Sequence, residues 1–141
     1  MKSWPFNSTF PVTVENAVIA WQPVVGQLHN LSTTWNRDVI FTEIGYCSGK
    51  NGCNDNQGSP DKQVQMETLY NGTFMVWNES VTWFKGIFWW NWVSDNAYGG
   101  NDTGCMTPSY KPSENVIRYY YEATKQPPPP PNYSAVCTCW L

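Results

Sequence analysis

Two short apolar runs, residues 38–46 ("DVIFTEIGY") and 84–92 ("FKGIFWWNW"), restrict this chain more than anything else in it. Each is nearly continuous in apolar side chains, the pattern of a strand buried on both faces. Between them, residues 61–78 carry Met66, Leu69, Tyr70, Phe74 and Trp77 on one side of a predicted helix, started by Ser59 and Pro60. Strands joined by a crossover helix of this length must be parallel, and the unit is right-handed. Upstream, Val18, Trp21, Val25, Leu28, Leu31 and Trp35 recur at helical steps, and Pro23 is expected to divide that stretch into two helices. Downstream, Pro112 opens a last helix with Val116, Ile117, Tyr120 and Tyr121 on its buried side. The polar stretches 47–60 and 94–110 read as loops.

The fold class is therefore α/β, in the order helix, strand, helix, strand, helix. Two buried parallel strands would leave apolar edges open, a state natural sheets avoid. The simplest resolution is that the chain holds one end of a larger α/β domain. Residues 1–13 read as an N-terminal loop and 14–125 as that partial domain. Residues 126–141 form a stiff proline-rich linker and a cysteine-containing tail.

Composition narrows the partners. Only 13% of residues are charged and the net charge is -3, so no basic surface for nucleic acid is expected. No apolar stretch approaches the roughly 18 residues of a membrane span. The excess is aromatic: nine Trp and eight Tyr, residues that build cores but also pave sites for sugar rings. Asn-x-Ser/Thr acceptor patterns occur at Asn7, Asn30, Asn71, Asn78, Asn101 and Asn132, of which Asn7, Asn101 and Asn132 fall in predicted loops. Together with Cys47, Cys53, Cys105, Cys137 and Cys139, they favour an oxidising compartment, either secreted or lysosomal. A zinc site fits poorly, because His29 is the lone histidine and Cys137 with Cys139 the lone close pair. No metal and no other cofactor is expected. The opening "MKSWPFNSTFP" lacks the apolar segment of a signal peptide. A chain of secretory character without one is expected to be a piece of something longer.

In parallel α/β domains, sites form where the strands end at their C-terminal edge. Glu43 lies there on the first strand, and Trp90, Asn91 and Trp92 lie there on the second. A carboxylate beside indole rings suits carbohydrate chemistry: the ring packs on the apolar face of a pyranose while the carboxylate meets the anomeric carbon. The alternative is that Glu43 pairs with a nearby Arg or Lys, or caps a loop, and that the tryptophans are core.

"VIFTEIGY", "GIFWWNW" and "GGNDTGCMTPSYKPSENVIRYYY" resemble, in that order and spacing, the last quarter of a (β/α)8-barrel retaining glycoside hydrolase. Residues 14–122 are most similar to the family 113 β-mannanase-like members. The resemblance implies a C-terminal fragment of a TIM barrel, about strands seven and eight with their flanking helices. It implies that Glu43, in its Thr-Glu-x-Gly setting, is the nucleophile, and that Trp90 and Trp92 line the subsite of the cleaved sugar. Asn91, Tyr46 and Asp95 fall among the residues expected to touch substrate, while Gln65 and the pair Lys111 and Pro112 match structural positions. The implied reaction is retaining hydrolysis of a β-linked polysaccharide, such as mannan, through a covalent glycosyl-enzyme.

That reaction needs a second carboxyl group about 5 Å away, serving as acid and then base. The family supplies it from an Asn-Glu pair ending strand four, and neither predicted strand of this chain ends in such a pair. Glu67, Glu79, Glu114 and Glu122 fall on helices or late loops, and Glu15 precedes the first strand. A closed barrel takes about 250 residues, so the 141 residues alone are expected to be inactive. Cys47 with Cys53 would close one small loop, and either with Cys105 would join two loops on the site's face; the sequence does not choose. His29 reads as a structural or surface residue. Three functions follow: a glycoside hydrolase or a piece of one, monomeric when full length; a non-catalytic carbohydrate-binding homologue; and an inactive truncated remnant.

Overall fold

The computed structural model describes residues 13–53, 55–77, 82–100 and 102–122. Asn7, Asn78, Asn101, Asn132, Cys137, Cys139 and the proline run lie outside the described residues. Helix α1 spans Val14–Trp35, strand β1 Val39–Ile44, helix α2 Pro60–Trp77, strand β2 Phe84–Trp89 and helix α3 Pro112–Glu122, with a short 3-10 turn at Asn96–Tyr98. β1 and β2 pair in parallel, joined by α2, as the crossover spacing requires.

α1 starts where Thr13, in extended backbone, accepts the Asn16 amide on its hydroxyl at 3.2 Å. It ends where Asn36 turns left-handed at φ 49° and donates its amide to the carbonyls of Ser32 and Thr33. Pro23 does not divide it. Proline removes the amide that would reach the carbonyl of Ile19, but Ile19 is 65% exposed and Pro23 lies on the same wet side, where water can take that bond. Packing supplies the rest: a Cβ on Gly72 of α2 would stand 2.4 Å from the Cβ of Ala17, so the two helices cross at closest approach beside a glycine. Leu31 and Trp35 were expected on the buried stripe but are 49% and 69% exposed. α2 ends at Trp77, packed against Trp21, well short of those last turns of α1.

The core lies between the helices and one face of the sheet. Trp21 is fully buried, stacked on Phe41 of β1 at 5.7 Å and edge-on to Trp77 at 5.5 Å. Met66, Leu69, Tyr70, Phe74 and Trp77 are all buried, so the apolar side read for α2 is the side it uses. α3 docks through Ile117 and through Tyr120, whose ring stacks on Phe74 at 4.5 Å and whose hydroxyl donates to Asn71 Oδ1 at 2.8 Å. Tyr121, expected to be buried, is 56% exposed and touches Phe74 only edge-on.

The strands differ from expectation in one respect that matters for the site. Their apolar runs predicted burial on both faces, but only one face is covered. Val39, Phe41, Ile44, Ile87 and Trp89 are partly buried against the core, while Ile40, Phe88 and Trp90 are 48%, 64% and 51% exposed. Helices lie against one side of the sheet, and no described residue covers the other.

Candidate functional site

Glu43 stands on the open face because β1 is irregular. Phe41 pairs with Ile87 and Ile44 with Trp89, so Thr42 and Glu43 together oppose the single residue Phe88. This is a β-bulge, which re-aims a side chain locally. With strict alternation from Phe41, Glu43 would point into the helix-covered core. The bulge instead leaves both Thr42 and Glu43 exposed and returns Ile44 to the covered side. Among the described residues no hydrogen bond or ion pair holds Glu43, so it is not the partner of an Arg or Lys.

The ends of the two strands are locked together just beyond it. The Trp90 amide donates to the carbonyl of Ile44 at 2.7 Å, and a Cβ on Gly45 would lie 1.6 Å from the Trp90 carbonyl oxygen. Only glycine fits at that crossing. The Trp90–Asn91 peptide is cis. Trp90 and Trp92 are each 51% exposed and Asn91 is half-buried. By register and exposure, Ile40, Thr42, Glu43, Phe88 and Trp90 share one open surface. Phe88 was not singled out in the sequence, although its place two residues before Trp90 puts it on the same face by strand alternation.

The loops following β1 and β2 form a single wall above this end of the sheet. Cys47 and Cys53 are joined in a disulfide, and Cys105 is a free, partly buried thiol. Of the pairings open in the sequence, the small-loop closure is the one formed. Gly58 N donates to Asp102 O and Gly104 N to Asn56 O, both at 2.9 Å, and Gln57 bridges Thr103. Beneath them Gln63 of α2, 3% exposed, donates to Ser48 Oγ at 3.0 Å, and Ser48 donates to Thr103 O at 3.0 Å. Asp55 accepts the amides of Asn51 and Gln57, and those bonds, the Gln57 amide foremost, hold its carboxyl below the usual range.

Two candidate residues have other surroundings. Tyr46 is 2% exposed, packed edge-on to Tyr70, with its hydroxyl 2.6 Å from Thr73 Oγ1. Burial pushes its ionisation above the ordinary tyrosine range. It is a core residue with no open surface for a ligand, because the turn after Gly45 drives it between the strand ends and α2. Asp95 is exposed, with Oδ1 accepting the Ala97 amide at 2.9 Å to start the 3-10 turn. Gln65 accepts from Lys62 at 3.0 Å on α2. Lys111 is 3% exposed and donates to the Cys105 carbonyl; burial lowers its pKa from 10.5 to about 8.

A cavity of about 490 Å³ opens at the opposite end of the sheet, lined by residues including His29, Asn36, Arg37, Asp38 and Trp83. His29 is exposed there and stacks on Trp83 at 5.3 Å. The cavity is separated from Glu43 by the length of β1.

No protein-family model matches the chain, and no curated protein matches it. Among solved structures it is similar to a GH113 β-1,4-mannanase described as a complex structure, with TM-score 0.61 and 19% identity, over 75% of this chain and 36% of that one. It is also similar to the GH113 β-mannanase from Alicyclobacillus acidocaldarius in complex with ManMIm, with TM-score 0.57 and 20% identity, over 79% of this chain and 36% of that one. The chain thus spans about a third of the length of each of these mannanases and shares the fold of that part of them.

Proposed function

We propose that this chain is part of a (β/α)8-barrel glycoside hydrolase, with β1 and β2 as adjacent strands late in the barrel and their open face turned to its interior. The observation that carries the reading is Glu43: an unpaired carboxylate, turned by a bulge onto an open sheet face at the C-terminal end of a parallel strand, beside exposed Phe88 and Trp90. The likeness to mannanases in fold supports a β-linked glycan, mannan, as substrate.

In the proposed reaction the Glu43 carboxylate attacks the anomeric carbon as the leaving oxygen takes a proton from a carboxylic acid outside this chain. Water then hydrolyses the glycosyl ester, deprotonated by that same residue, with net retention. Trp90 and Trp92 pack on the apolar faces of the sugar, and Asn91 and Asp95 lie along the same loop to meet its hydroxyls. The disulfide and the acceptor patterns support passage through the secretory pathway, and no helix among the described residues is long and apolar enough to cross a membrane.

The experiment is to treat the intact protein that carries this sequence with 2-deoxy-2-fluoro-β-mannosyl fluoride and map the adduct by peptide mass spectrometry. The expected product is an ester on Glu43, absent from Glu43→Gln. An adduct on a different carboxylate, or none while mannan is still cleaved, removes Glu43 from the role. Sugar binding without cleavage would favour the second reading, a non-catalytic carbohydrate-binding homologue.

A further inference from the structure

Downstream of Trp92, the chain presents two more aromatic rings to solvent, and one of them does so against its own backbone preference. Tyr110 is 62% exposed and adopts the left-handed region at φ 58°, which is uncommon for a bulky residue and suited to glycine. Its amide donates to Glu114 Oε2 at 2.6 Å, and Glu114 is in turn paired with Arg118 at 3.1 Å. Tyr98, 53% exposed, ends the 3-10 turn beside it. Gly100 N donates to Ser109 O at 2.9 Å, and a Cβ on Gly99 would stand 2.9 Å from Tyr110 Cδ2, so the Tyr110 ring lies against the backbone next to Tyr98.

The segment under Tyr110 is hydrogen-bonded directly to the one that carries Trp92. Thr107 and Ser109, both buried, hold the two backbone groups of Val93: its amide donates to Thr107 Oγ1 at 3.1 Å and its carbonyl accepts from Ser109 Oγ at 3.1 Å. Trp92 and Tyr110, each adjacent to a residue of this hub, are therefore displayed in fixed relation. An exposed aromatic ring on an ordered support loses little conformational freedom when it binds. The Glu114 carboxylate is committed to the Tyr110 amide and to Arg118, while Asp95 gives Oδ1 to the Ala97 amide and keeps its second oxygen for a hydroxyl, an arrangement that suits a neutral polyhydroxyl ligand.

We propose that Tyr98 and Tyr110 form an outlying stacking platform for a further pyranose of a neutral β-linked oligosaccharide, beyond the ring held at Glu43 and Trp90. This rests on the glycan reading above and deepens it: the ligand is a chain of several sugars, gripped at more than one ring, and short fragments forgo the outer contact.

The test is calorimetric titration of the intact protein carrying this sequence, with Glu43→Gln as the non-cleaving parent background for every variant, with β-1,4-mannohexaose and with β-1,4-mannobiose. Tyr110→Gly is the informative variant, because glycine takes φ 58° freely and deletes the ring without disturbing the turn. Expected are an unchanged or raised Tm, mannohexaose affinity about tenfold weaker, and mannobiose affinity unchanged. Tyr98→Ala should act in the same direction, and Tyr110→Trp should restore the hexaose affinity. If Tyr110→Gly and Tyr98→Ala both bind mannohexaose as the parent does, the platform is wrong while the reading of Glu43 stands. If the parent binds neither sugar, the glycan reading itself fails and the platform falls with it.

Discussion

The two faces of the same small sheet are built from nearly the same kinds of residue and meet opposite fates. On one face Val39, Phe41, Ile44, Phe84, Ile87 and Trp89 pack against Trp21, Tyr70, Phe74 and Trp77. On the other, Ile40, Thr42, Phe88 and Trp90 are open, and Glu43 joins them through a bulge. The contrast teaches that apolar character in these strands serves two purposes. One set of side chains anchors helices; the other lines a surface that carries a carboxylate.

Substitutions on the two faces should therefore have unequal effects. The largest effect belongs to the covered face, where Trp21→Ala removes the centre of the aromatic cluster and should cost about 4 kcal/mol in a denaturant titration. A loss below about 1 kcal/mol would mean the core does not rest on that contact. At the junction of the faces, Gly45→Ala drives a methyl group into the Trp90 carbonyl, 1.6 Å away, and should cost about 3 kcal/mol by separating the strand ends. An unaltered unfolding midpoint would show that the crossing tolerates a methyl group. Thr73 accepts from Trp21 Nε1 at 3.1 Å and lies 2.6 Å from the Tyr46 hydroxyl. Thr73→Val deletes one hydrogen bond from each of these buried groups and should cost about 2 kcal/mol in the same titration.

More specific is the pH dependence set by Lys111. Its folded pKa, about 8, lies below the unfolded value of 10.5, so between those values the unfolded chain binds more protons. Stability should therefore rise from pH 8 to about pH 10, and Lys111→Met should flatten that rise in a series of thermal melts. Above about pH 10 the trend reverses, because burial raises the pKa values of Tyr46 and Tyr70 and the unfolded tyrosines ionise first. The smallest effect belongs to the open face: in the 141-residue chain Phe88→Thr should change stability by less than about 0.5 kcal/mol. A loss approaching that of Trp21→Ala would mean this face is covered after all.

Much of the framework was legible in the residues. The side of α2 bearing Met66, Leu69, Tyr70, Phe74 and Trp77, the parallel pairing and the start of α3 at Pro112 all follow from local periodicity and chain connection. The failures share a cause. Pro23 was expected to end a helix, but a proline whose missing bond faces water is outweighed by packing such as Ala17 on Gly72. Leu31 and Trp35 kept the helical period yet had nothing opposite them, and Tyr121 slid past Phe74 to the surface. Tyr46 stood near Glu43 in sequence but turned into the core toward Thr73.

By itself the sequence determined what depends on neighbours along the chain: two apolar strands, the crossover between them, helical stretches before, between and after them, and a carboxylate and indoles at the strand ends. Tertiary structure decided which face of each strand is covered, which cysteines meet, and whether Glu43 looks inward or out. The physical reason is register. A single extra residue between Phe41 and Ile44 inverts the alternation of the strand, and only pairing with Ile87 and Trp89 places that residue.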